Sequence, residues 1–172
     1  MPRRLTGRIA AARAIGGLSR LTGRGGTSLP GKAVLRMAPT AIGDLAARLE
    51  QGSSVLSATN GKTTTAAMVA RILERGGARL VHNRAGANMA GGVASALAAA
   101  ASTSGREVAG DLGLFEVDEF WLGPVSAELE PRVMLLGNLF RDQLDRYGEL
   151  ETIAERWAEV VAARASTRLV LN

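Results

Sequence analysis

The chain has 172 residues, 47% of them hydrophobic, which suits one globular domain and excludes a disordered polypeptide. It contains no cysteine, so neither a disulfide scaffold nor a thiolate metal site can be built from these residues. No apolar run reaches the ~18 residues needed to span a bilayer, and Arg13 interrupts the only N-terminal stretch that could pass for a secretory signal.

The net charge of +5 is unevenly spread. Arg3, Arg4, Arg8, Arg13, Arg20, Arg24, Lys32 and Arg36 precede the first acid, Asp44; from Asp44 onward 13 basic residues face 16 acidic ones. Residues 4–21 fit a helix with Leu5, Ile9, Ala12 and Ile15 on one face. GRGGTSLPGK at 23–32 reads as a loop, and Thr40 or Asp44 can start a short helix running to Gln51. Residues 1–52 thus form a basic arm. Its partner is an anionic membrane surface or an acidic protein, unless it is only a solvated helix on the domain edge. Without interleaved aromatic residues it does not suit nucleic acid.

From residue 53 to 172 the pattern becomes α/β. Val55–Thr59 is a short apolar strand, and a helix follows from Lys62 to Arg75, closed by Gly76-Gly77. Ala78–His82 is the next strand and Asn88–Ala101 an alanine-rich helix. Leu112–Val117 and Arg132–Leu136 are strands, Glu149–Arg164 is a helix with Leu150, Ile153, Trp157, Val160 and Val161 on one stripe, and Arg168–Leu171 is a last strand. Such alternation predicts a mostly parallel sheet with helices on both faces, whose ligands gather beyond the carboxyl ends of the strands.

The first strand-to-helix turn carries Gly61-Lys62-Thr63. Unpaired amides at a helix start can cradle phosphate oxygens, and glycine lets the backbone come close to the anion. The Lys62 ammonium suits β- and γ-phosphates, and the Thr63 hydroxyl suits Mg²⁺. Only two of the 21 basic residues are lysine, and one stands here, where it opposes the helix dipole unless a polyanion is bound. An ordinary glycine turn capped by threonine is the plain alternative. The strand Leu112–Val117 runs into three acids, Glu116, Asp118 and Glu119, which can hold Mg²⁺ at the same sheet edge. HNRAGANM at 82–89 faces that edge too; there Arg84 is a candidate substrate or phosphate contact, and the lone His82 reads more readily as structural.

The strict phosphate-loop spacing is not met, because Leu56 stands where its first glycine would. The segment Ser57-Ala-Thr-Asn-Gly-Lys-Thr-Thr-Thr65 resembles instead the shorter T-G-T-N-G-K-T-T-T loop of Mur ligases and folylpolyglutamate synthetases, departing from it at Ser57 and Ala58. The stretch after the strand at 132–136 resembles the family's T-N-x-x-x-D-H-L-D segment: Asn138, Asp142 and Asp145 match, Gly137 replaces threonine, and Gln143 replaces histidine. The resemblance implies a P-loop-like central ATP-binding domain over 53–172. It implies ATP contacts at Thr59, Asn60, Gly61, Lys62, Thr63, Thr64 and Asn138, and Mg²⁺ at Thr63 and Glu116. Substrate or second-metal contacts fall to Arg84, Asp118, Glu119, Asp142 and Gln143; no catalytic residue is assigned. A neutral Gln143 oxygen weakens any second metal position.

The stretches GGTSLPGK, HNRAGANM, FEVDE and NLFRDQLDRYGELE resemble most the branch of the family that amidates lipid II. That resemblance implies ATP-dependent activation of the D-glutamate α-carboxylate, ammonia from a GatD-like glutaminase subunit, and work in the cytoplasm at the inner face of the membrane. It also implies a longer protein, continuing through an adenine-binding segment, a zinc-binding insertion and a C-terminal domain, so that these 172 residues alone should not turn over. A muramyl amino-acid or folylpolyglutamate ligase is the alternative enzyme, and a non-catalytic nucleotide-binding module the alternative of another class.

Overall fold

The computed structural model describes residues 29–83, 87–140 and 149–172. The expected helix at 4–21, most of the basic arm, Arg84, Asp142 and Gln143 lie outside the described residues. The elements in chain order are α1 (Leu29–Met37), α2 (Ala41–Ala46), β1 (Ser53–Ser57), α3 (Lys62–Arg75), β2 (Leu80–His82), α4 (Ala90–Ala100), β3 (Leu112–Glu116), α5 (Leu122–Leu129), β4 (Val133–Leu136), α6 (Glu149–Ala162) and β5 (Arg168–Leu171). The five strands form one parallel sheet in the order β2-β3-β1-β4-β5.

The order explains the layering. The chain leaves central β1 for the β2 edge, then returns through β3 and crosses to β4 and β5. Right-handed crossovers therefore put α3 on one face and α4, α5 and α6 on the other. The side chains agree. Val55 is level with Phe115 and Met134 across three strands, and these join Ile42, Leu45, Val93, Leu97, Val125, Ile153 and Trp157 in one buried cluster containing no α3 residue. The opposite face has Ala66 and Ala70 as the only buried residues of α3.

Elements differ from the sequence expectation, the helix expected to reach Gln51 ending at Ala46 and β2 starting at Leu80, and three of the differences have identifiable reasons. Residues 29–32, expected in a loop, begin α1. Pro30 stands in its first turn, where a missing N–H costs nothing, and Gly31 is there because α4 lies against it. A Cβ at Gly31 would sit 1.7 Å from the Gly91 carbonyl oxygen, and the Gly31 N–H donates to Ser95 Oγ at 2.7 Å. Helix α5 had no sequence counterpart; Pro124 occupies its first turn, and Leu122, Val125 and Leu129 are buried. Strand β1 starts at Ser53, earlier than its apolar residues suggest, because Ser53 is buried and its hydroxyl donates to the Leu129 carbonyl at 3.3 Å. Helices α1 and α2 are packed into the body: Val34, Ala38 and Ala41 form a small cluster with Ala98 of α4. Among the described residues no helix is long and apolar enough to cross a membrane.

Candidate nucleotide-binding site

Strand β1 lies between β3 and β4, so the segments after all three strands meet at one sheet edge. Its helix lies on one face and those of its neighbours on the other, which opens a crevice at this switch point. The segment leaving β1 is tied to the one leaving β4. Thr59 N–H donates to the Asn138 carbonyl at 2.8 Å, Asn60 N–H to Asn138 Oδ1 at 3.1 Å, and Phe140 N–H to Thr59 Oγ1 at 3.1 Å. Asn138 thus holds the turn through main chain and side chain.

Gly61 is the helix cap, with φ 77°, and a Cβ there would meet nothing within 4 Å. The turn therefore uses glycine for its left-handed backbone and presents open space in front of it. Thr65 N–H donates back to the Gly61 carbonyl at 2.9 Å, which starts the α3 ladder. The amides of residues 62–64 precede that first bond and are the ones a helix start leaves for an anion. Thr63 and Thr64 are exposed.

Alternation along β3 sorts its side chains. Phe115 and Val117 enter the apolar cluster, whereas Glu116 points to the α3 side. The Glu116 carboxylate, in a residue only 3% exposed, accepts a hydrogen bond from Thr63 Oγ1 at 3.0 Å. Lys62 folds back over the turn: Nζ donates to the Ala58 carbonyl, to the Thr59 carbonyl at 3.1 Å, and to Glu119 Oε2 at 3.1 Å. Glu119, expected as a substrate or second-metal contact, is here the counter-ion of the loop lysine; both side chains are largely buried. Its carbonyl accepts from Trp157 Nε1 at 3.3 Å, linking the site to α6. Asp118 shapes the same turn, with Oδ1 accepting from Phe120 N–H at 3.1 Å and its own N–H donating to the Asn88 carbonyl at 2.7 Å. His82 Nδ1 lies 2.6 Å from the Leu114 carbonyl, a strand-to-strand bond.

The structure thus brings together Thr59, Asn60, Gly61, Lys62, Thr63, Glu116, Glu119 and Asn138. Asp118 lies in the adjoining turn. The donor set suits Mg²⁺. It offers a hydroxyl and a carboxylate oxygen in contact, with no group of three or more His, Cys, Asp or Glu among the described residues that would form an all-protein cage. Mg²⁺ takes one or two carboxylates plus phosphate oxygens and water in that way.

Ala58, a departure from the loop pattern, and Gly137, a departure from the segment after β4, prove to be neighbours. A Cβ added at Gly137 would lie 2.9 Å from the Ala58 Cβ, and Gly137 N–H donates to the Ser57 carbonyl at 2.8 Å. A methyl present at 58 is accommodated by a side chain absent at 137. Asn83 was not singled out from sequence. It is 3% exposed and bonded to both backbone groups of Glu116. A carboxamide directly after an apolar strand was the available signal.

The strand order, the glycine turn and the lysine–threonine–carboxylate set define a nucleotide-binding α/β domain of the phosphate-loop type. Residues 57–172 match the Mur ligase middle domain, and the chain belongs to the Mur ligase family. It is 32% identical over 154 residues to the lipid II isoglutaminyl synthase (glutamine-hydrolyzing) subunit MurT of Staphylococcus aureus, covering 90% of this chain and 34% of that one. It is 35% identical over 156 residues to the corresponding Streptococcus pneumoniae subunit, covering 90% and 33%. A UDP-N-acetylmuramoylalanine–D-glutamate ligase of Corynebacterium diphtheriae is 37% identical over 109 residues, or 63% of this chain and 21% of that one. The chain therefore spans about a third of the length of the MurT subunits it matches. Among solved structures, MurF from Acinetobacter baumannii shares the fold with a TM-score of 0.59 at 17% identity, over 84% of this chain and 34% of that one.

Proposed function

We propose that this chain is the ATP-binding part of a ligase that amidates the D-glutamate α-carboxylate of lipid II to D-isoglutamine, with ammonia supplied by a GatD-like glutaminase. Residues 53–172 form its nucleotide-binding domain and residues 1–52 its basic, helical lead-in. The work takes place in the cytoplasm at the inner membrane face, where the arm meets anionic lipid. The observation that carries the reading is the contact of Thr63 Oγ1 with Glu116 at 3.0 Å, beside Lys62 and behind the open Gly61 turn. The similarity to MurT subunits over 90% of the chain supports the choice of reaction within the family.

The residues' roles follow from charge and geometry. The amides at 62–64 hold the β- and γ-phosphates. Lys62 exchanges the Ala58 and Thr59 carbonyls and Glu119 for phosphate oxygens, and so neutralises charge that grows as the γ-phosphoryl group transfers. Thr63 and Glu116 would hold Mg²⁺, which would supply positive charge to offset the negative charge of the phosphates. Asn138 fixes the turn from behind. In the reaction a carboxylate oxygen of the substrate bonds to the γ-phosphorus and the bond to ADP breaks. Ammonia then bonds to the acyl carbon, inorganic phosphate leaves, and nitrogen loses a proton. Arg84, Asp142 and Gln143 are proposed contacts for the substrate or a second cation. Zinc belongs to a segment outside residues 1–172.

The full-length protein with its glutaminase, glutamine, ATP and lipid II tests this. Lys62→Met and Glu116→Gln should each cut amidation by about 10²–10³-fold, with ATP hydrolysis and product mass as readouts. Wild-type protein without nucleotide affinity, or Lys62→Met at the wild-type rate, would sink the reading. The identity to a D-glutamate ligase favours one alternative, an amino acid as nucleophile. Product made from free D-glutamate but not from ammonia would establish it.

A further inference from the structure

We propose that Asn83 is a positioning residue for the Mg²⁺ site: its buried carboxamide clamps the peptide unit of Glu116 and so fixes where that carboxylate meets Thr63. The proposal rests on the Mg²⁺–ATP reading of the site.

Strand β2 pairs with β3 only as far as His82 opposite Leu114. Beyond that point Glu116 would lose its partner on this side. Its backbone groups are instead taken by the Asn83 side chain, with Oδ1 accepting from Glu116 N–H at 2.9 Å and Nδ2 donating to the Glu116 carbonyl at 2.7 Å. The second Nδ2 proton goes to the Ala87 carbonyl at 2.7 Å. Both carboxamide protons and the oxygen are therefore used. On the other side, Val117 N–H donates to the Leu56 carbonyl at 2.9 Å. Glu116 is thus pinned between β1 and a side chain that acts as one more rung of β2.

The clamp falls on the residue whose carboxylate meets Thr63. Burying a carboxamide is costly unless every polar atom is paired. An apolar residue would fill the same space without that demand, but it could not hold Glu116 by both backbone groups. Groups that orient metal ligands from behind typically control metal affinity or activity by about 10–100-fold.

The full-length protein is titrated with Mg²⁺ at fixed ATP without acceptor substrate, and binding is followed by calorimetry. Asn83→Ala and Asn83→Asp should raise the half-saturating Mg²⁺ concentration about 10–100-fold. ATP affinity in EDTA should stay within about twofold, because Lys62 and the loop amides remain. Folded variants with a wild-type Mg²⁺ requirement would overturn the proposal and leave Asn83 a fold residue only. If both variants fail to fold, the wild type decides by NMR. Adding Mg²⁺ to the ATP complex should shift the Asn83 carboxamide resonances and slow exchange of the Glu116 amide; no response overturns the clamp. Wild-type protein that binds ATP equally in EDTA, or Glu116→Gln with an unchanged Mg²⁺ requirement, removes the underlying site reading as well.

Discussion

The seam between α1 and α4 and the turn between β1 and α3 are both built on glycine, for opposite physical reasons. At the seam the missing Cβ atoms let two backbones touch, since any side chain at Gly31 would enter the Gly91 carbonyl. At the turn Gly61 has nothing near its missing Cβ; it serves a left-handed φ of 77° and open space. One glycine is consumed by packing, and the other faces open space. Gly137 stands between the two cases, because it belongs to the site edge yet is constrained by the Ala58 methyl.

The largest expected effect that would break this comparison lies at the seam. Gly31→Val should cost ~3 kcal/mol through overpacking against α4 and lower the melting temperature by about 6–12 °C, while the folded fraction binds ATP as before. A wild-type melting curve would show that the seam yields where the geometry says it cannot. At the site edge, Gly137→Thr should cost about 1–3 kcal/mol and weaken ATP binding, because Ala58, whose carbonyl receives Lys62, must move. Adding Ala58→Gly should restore much of both. A double-mutant cycle with coupling below about 0.5 kcal/mol would mean that the departures at Ala58 and Gly137 are unrelated.

The smallest effect belongs to the opposite end of the sheet, away from the site. There the Arg79 side chain and backbone N–H hold the Asp111 carboxyl below its ordinary value, chiefly through the side-chain hydrogen bonds. A folded-state pKa below the unfolded value of about 3.9 gives stability that is present above that value and lost as pH falls through the folded one. Asp111→Asn should therefore lower stability slightly at neutral pH, and the gap from wild type should close below about pH 4. A gap that widens on acidification would reverse the assigned sign.

The residues explain how far the sequence could be read. Glu116 was legible because it ends an apolar strand, and Lys62 and Thr63 because they follow Gly61 in a strand-to-helix turn; the alternating pattern sends both places to one edge of a parallel sheet. Asn138 was legible through the family segment that contains it. Helix α5 was hidden because Gly123-Pro124 breaks a helix in its interior but not in its first turn. Asn83 was hidden because its role is to replace a strand pairing, and a carboxamide after an apolar strand does not by itself show where the pairing of β2 with β3 stops. The pairing of Glu119 with Lys62 joins residues far apart in the chain, so no spacing announces it.

The sequence by itself determined the alternation of strands and helices, the phosphate-type turn and the acids at the strand end. All of these are written in hydrophobic period and in single residues with special backbone or charge properties. Only the tertiary structure decided the strand order, the glycine contact of α1 with α4, the match of Ala58 to Gly137, and the partner of each polar side chain at the site. Those depend on which backbones come within contact distance, and that is fixed by the packing of distant segments rather than by any local preference.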